Sequence, residues 1–71
     1  MRRHKVESII FKSVGYYLDD KILEVELRDT GAVYQYHNFP KLAYKKFVNS
    51  ISLDDFFTAR IKNKYPEVEV K

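Results

Sequence analysis

Ile22-Leu23-Glu24-Val25-Glu26-Leu27-Arg28 alternates without a break, with Leu23, Val25 and Leu27 on one side of an extended chain and Glu24, Glu26 and Arg28 on the other. Side chains of a β-strand alternate between faces, so this segment reads as a strand with one apolar and one charged face. Such a strand has to join a sheet whose apolar face is covered by a second layer. A chain of 71 residues without cysteine has no disulfide and no thiolate metal site to supplement that layer. A domain of this size buries only about 60% of its unfolded surface. The cover must therefore come from a small core rich in the six Tyr and five Phe of the chain.

The neighbouring segments supply the sheet. Ile9 to Tyr17 is rich in β-branched and aromatic residues and reads as a first strand. Gly15 within it marks a bulge or a close backbone approach. Leu18-Asp19-Asp20-Lys21 is a turn, because Asp side chains bond their own backbone. Asp29-Thr30-Gly31 is a second turn, with Gly31 free to take positive φ. Ala32 to His37 follows as a third strand, completing an antiparallel meander.

The second half reads as helical. Pro40 suits a first helical turn, where a missing N–H costs nothing. Leu42, Ala43, Phe47 and Val48 recur at helical spacing as a core-facing stripe. After the break at Asn49-Ser50-Ile51, Ser52 is placed to cap a second helix, and Asp54 and Asp55 favour the positive end of its dipole. Leu53, Phe57, Ile61 and Tyr65 follow at intervals of four, and Pro66 ends the helix. The expected fold is α+β, a three-stranded meander followed by two helices on one face (βββαα). Residues 1–7 form a basic arm, residues 8–65 a single domain and residues 66–71 a tail.

The net charge of +3 is unevenly distributed. The arm carries Arg2, Arg3 and Lys5. Residues 6–39 hold three cations against six carboxylates, whereas residues 40–65 hold six cations (Lys41, Lys45, Lys46, Arg60, Lys62, Lys64) against Asp54 and Asp55. An acidic sheet thus lies between a basic arm and a basic helical pair, which points to an anionic partner for the helices. No apolar run approaches the ~18 residues of a membrane span. The basic start is followed by too short an apolar stretch for a signal peptide. A cytoplasmic protein without membrane contact is expected.

The chemical inventory is small. There is no thiol, no glycine-rich phosphate loop, and no Ser or Thr beside a general base. His4 and His37 have no second ligand at metal-binding spacing. The pairs Asp19-Asp20 and Asp54-Asp55 have ready structural roles in a turn and a helix start. A chain of this length leaves little room for a ligand pocket. No catalytic residue, cofactor, metal or small-molecule substrate is expected.

One ordered pattern is more specific than composition. Val14-Gly15-Tyr16, Leu23-x-Val25-x-Leu27, Gly31-x-Val33-Tyr34-Gln35-Tyr36, Phe39-Pro40, Tyr44, Ser52, Phe56-Phe57, Ile61 and Tyr65 stand in order over residues 8–65. This set resembles the KTSC domain family, named for a short domain at the C-terminus of some lysyl-tRNA synthetases and also found as small free-standing bacterial and phage proteins. Tyr34-x-Tyr36 is its most recognisable part. Two positions depart from the family pattern: Asp54 stands where Gly is common, and Thr58 where Asn is common. Through its attachment to a tRNA-handling enzyme, the resemblance implies RNA as a ligand.

RNA binding needs cations for phosphates and aromatic faces for bases. Alternation places Ala32, Tyr34 and Tyr36 on the more apolar face, which favours burial of both tyrosines under the helices. The open face carries Glu24 and Glu26, which repel phosphate. The expected RNA surface is therefore the helical side together with the arm. The alternative is a protein-interaction module or homodimer using a sheet edge or the open face, with Phe11, Tyr16, Tyr17 and Val33 supplying apolar contact.

Overall fold

The structure is a computed structural model that describes residues 4–70 of the chain. It contains a sheet of five antiparallel strands in chain order: β1 (His4–Lys5), β2 (Phe11–Tyr17), β3 (Ile22–Leu27), β4 (Val33–Tyr36) and β5 (Glu67–Glu69). Two helices lie between β4 and β5: α1 (Lys41–Val48) and α2 (Leu53–Phe56), the latter continuing as a π-helical turn over Phe57–Ile61. The fold class is α+β as expected, with the meander at its centre. The sheet has five strands rather than three because segments assigned to the arm and the tail pair with it. Val70 N–H bonds to the Val33 carbonyl (2.8 Å) and His37 N–H to the Pro66 carbonyl (2.9 Å), fixing β5 along β4.

The alternation of β3 sets the layering. Val25 lies opposite Val14 and Tyr34, and Leu23 opposite Tyr16 and Tyr36. These side chains join the core beneath the helices, while Glu24, Gln35 and Glu26 take the other face. The bulge in β2 falls at Lys12, between Phe11 and Ser13, and Gly15 pairs regularly with Glu24. That bulge brings Phe11 and Val14, three residues apart, to the same face. Phe11 and Tyr16 are therefore core residues and not contacts on the open face.

Three fully buried phenylalanines, Phe11, Phe39 and Phe47, join the sheet to the helices. Phe57 meets Phe11 edge-on at 4.8 Å and Tyr36 at 5.7 Å between ring centroids, arrangements that aromatic quadrupoles favour. On α1 the buried side is Ala43, Tyr44, Phe47 and Val48, while Leu42 is 70% exposed. The expected stripe is thus rotated toward Tyr44, which stacks on Tyr16 at 4.8 Å. Pro40 caps α1 from just outside it, and its carbonyl accepts the Tyr44 N–H at 3.1 Å.

Ser52 caps α2 as expected, its Oγ accepting the Asp55 N–H at 3.2 Å. The helix ends at Ile61 and not at Tyr65. Lys62 N–H reaches the Phe57 carbonyl across the wider turn, and Asn63 takes positive φ (64°). Asn tolerates that region better than most residues. The early stop turns the chain so that Tyr65 packs edge-on against Phe39 (4.7 Å) and Pro66 leads into β5.

Candidate nucleic-acid interface

The six cations of the helical half are all exposed, but they do not form one cluster. Lys41 and Lys45 border a shallow hollow of about 460 Å³ with Tyr16, Leu18 and Tyr44. Lys46 and Arg60 both line the groove between α1 and the π-turn, a hollow of about 420 Å³ lined also by Phe39, Leu42, Phe56 and Tyr65. Lys62 lies on the far side of the second helix, in a hollow of about 360 Å³ with Tyr34, Tyr36 and Glu67. Hollows of this size exceed what so short a chain leads one to expect, although all are open to solvent. Arg2 and Arg3 lie outside the described residues, and of Lys5 only the backbone, in β1, is described.

Tyr34 and Tyr36 both face the helical layer. Tyr36 is 3% exposed, and its hydroxyl donates to Glu67 Oε2 at 2.7 Å. Burial, and after it this bond to a carboxylate, push its phenol well above the ordinary range. Tyr34 is half-buried against the core. The pair is therefore not a stacking platform on an open sheet. Burial likewise raises the phenols of Tyr16 and Tyr44, and the Tyr16 hydroxyl donates to the Phe39 carbonyl. On the opposite face Glu24 accepts from Gln35 Nε2 at 2.9 Å, and Ser13 Oγ donates to Glu26 Oε1 at 2.8 Å.

Asp54 is turned inward. Its carboxylate accepts Ser8 Oγ at 2.5 Å, Ile9 N–H at 3.0 Å and Ile10 N–H at 3.1 Å, gripping the loop between β1 and β2. Arg28 holds the same loop from the other direction. It donates from Nε to the Ser8 carbonyl (3.1 Å) and from Nη2 to the carbonyls of Phe11 (3.0 Å) and Val6 (3.4 Å). Burial acts to raise the Asp54 carboxyl, but the hydrogen bonds from Ser8, Ile9 and Ile10 and the charge of Arg28 outweigh it. The carboxyl is held below the usual range. The consequence for surface charge is direct. Over residues 40–65 the carboxylates are Asp54 and Asp55; Asp55 is exposed and Asp54 half-buried.

The neighbouring departure, Thr58, is also accounted for locally. Its Oγ1 donates to the Asp54 carbonyl one turn earlier at 2.9 Å. Among the described residues no group of three or more His, Asp or Glu could hold a metal ion, and no helix is long and apolar enough to cross a membrane. The Nε2 of His37 is buried without a hydrogen-bond partner among the described residues.

The KTSC domain model matches residues 7–65. The chain belongs to the KTSC domain family. The crystal structure of a KTSC domain protein from Yersinia pestis is similar to it at 33% identity, covering 99% of this chain and 97% of the other with a TM-score of 0.93. No curated protein matches the sequence. The family-motif residues have separate structural roles in this KTSC domain. Tyr16, Tyr36, Phe57 and Ile61 are buried in the core, Tyr34 and Phe56 pack against it, and Tyr65 closes over Phe39. Gly31 takes a φ of 74° in the β3–β4 turn, Pro40 and Ser52 cap the helices, and Gly15 is buried in β2.

Sequence reasoning did not identify the groove between the helices. The spacing places Leu42 in the core stripe of α1 and Tyr65 on a continuing helix. Only the rotation of α1 and the early end of the second helix bring them, with Lys46 and Arg60, to one surface.

Proposed function

We propose that the protein is a noncatalytic, cytoplasmic RNA-binding domain that holds phosphates on its helical layer. The observation that carries this reading is the one-sidedness of that layer: six exposed cations and one exposed carboxylate over residues 40–65. Asp54, the other carboxylate of this span, is engaged with the β1–β2 loop. The sheet side takes no part in this reading: the carboxylates of its outer face, the buried Glu24 and the half-buried Glu26, are held by Gln35 and Ser13. Lys62 shares a hollow with Glu67 and is set aside, whereas Arg60, which borders Asp55 on one side, opens on the other into the groove with Lys46, so the candidate surface is Lys41, Lys45, Lys46 and Arg60.

A second reading, a protein-interaction module, rests on two exposed aliphatic side chains of the same layer. Leu42 is 70% exposed, and Ile51 is fully exposed beside Phe56 and Ala59. The two readings separate by salt. Four phosphate contacts to a single strand give a log–log slope of affinity against salt near about −3. Binding of mixed RNA with such a slope, lost when Lys41, Lys45, Lys46 and Arg60 are changed to Glu, is the expected result. Absence of RNA retention at low salt overturns the RNA reading.

A further inference from the structure

We infer that the groove between α1 and the π-turn seats an unstacked base of single-stranded RNA, so that the helical layer selects single strands over duplex. This rests on the RNA reading and deepens it. The groove combines an apolar wall and floor with polar tips that have no hydrogen-bond partner within the described protein. Leu42 and Phe56 supply the apolar surface, above the fully buried Phe39 and Ile61. Lys46, Arg60 and Tyr65 also line it, in contrast to Arg28, which makes three bonds to main-chain carbonyls.

The charge around the groove selects the occupant. Its lining holds two cations and no carboxylate. The Tyr16 hollow, by comparison, borders the Asp19–Asp20 turn through Leu18, and the Tyr34 hollow contains Glu67. A purely apolar partner gains nothing from Lys46 and Arg60, and a duplex backbone gains nothing from Leu42 and Phe56. A splayed nucleotide uses both, its base against the apolar wall and its flanking phosphates on the two cations. Every base has a π-face, so such a seat is tolerant of sequence. The volume of about 420 Å³ accommodates one base with part of its ribose.

The test measures binding of the intact chain, at fixed low salt, to three probes of equal length: single-stranded oligouridylate, its abasic ribose-phosphate counterpart, and an RNA duplex. Oligouridylate is expected to bind at least about fivefold more tightly than the abasic strand and more tightly than the duplex. Leu42→Glu is expected to weaken oligouridylate binding about tenfold, while Ile9→Glu, the same charge change on another exposed aliphatic side chain that borders none of the hollows described above, weakens it less than about twofold. Both residues are more than half exposed, so both variants keep the fold. Equal binding of abasic and base-bearing strands, tighter binding of duplex, or equal losses from the two variants overturns the base seat while leaving phosphate binding intact. Failure of all three probes to bind overturns the seat and the RNA reading together.

Discussion

Replacing Asp54 by Ala removes one carboxylate that accepts three hydrogen bonds from a loop some 45 residues away in sequence. A hydrogen bond to a charged group contributes about 1.5–3 kcal/mol net when it is lost from a buried site. Two of the three donors are main-chain amides near the surface, which water satisfies once the carboxylate is gone, and solvent screens the attraction of Arg28. A total near ~2 kcal/mol at neutral pH is therefore expected. For a domain of this length that corresponds to a fall in Tm of about 8–16 °C. The effect carries a pH signature. The carboxyl of folded Asp54 lies below its ordinary value of 3.8, so its stabilisation is fully present above that value and is lost as pH falls through the lower, folded-state value. Urea unfolding followed by circular dichroism should show a wide gap between wild type and Asp54→Ala at neutral pH that narrows in acid below about pH 3.8. A gap under about 0.5 kcal/mol at neutral pH, or one that does not change in acid, would refute the clamp.

Two further outcomes follow from single side chains. Tyr36→Phe removes the bond to Glu67 but keeps the ring against Phe57, so stability falls by only about 1 kcal/mol; hydrogen exchange at the Val70 amide is expected to accelerate more than at Val25, and equal acceleration at both would count against a local role in holding β5. Lys21 sits at a φ of 55°, a region costly for side chains other than Gly and Asn, so Lys21→Gly is expected to raise stability by up to about 1 kcal/mol in urea titration; a lower midpoint would contradict the inferred strain.

The central meander was legible because its signal is local. Leu23, Val25 and Leu27 state their face by alternation alone, and the turns at Asp19–Lys21 and Asp29–Gly31 join strands that are neighbours in both sequence and space. The same holds for the Ser52 cap, whose acceptor and donor are three residues apart. The features that escaped are those whose cause is distant. Glu67-Val68-Glu69 is too short to show a period, and its place is set by β4, across the helical layer. Arg28 and Asp54 read as solvated charges on a strand and a helix start, since nothing near either of them in sequence reveals the loop they grip. Leu42 lies one position outside the stripe that tertiary packing chose, and the stop at Ile61 depends on Asn63 accepting a left-handed turn. The candidate cations were all visible, but the division of Lys41, Lys45, Lys46, Arg60 and Lys62 among three hollows depends on how the two helices sit against each other.

The order of the sheet has a consequence for how the chain assembles. Every strand pairs with its neighbour in sequence, so β2, β3 and β4 can zip together through short loops before any distant contact forms. The pairing of β4 with β5 is different, because it must enclose the whole helical layer. Closing a loop of that length carries an entropic cost that local contacts do not repay. The final strand is therefore a latch that engages once Phe47, Phe57 and Ile61 have settled on the meander, and its engagement reports that the layer beneath it has docked.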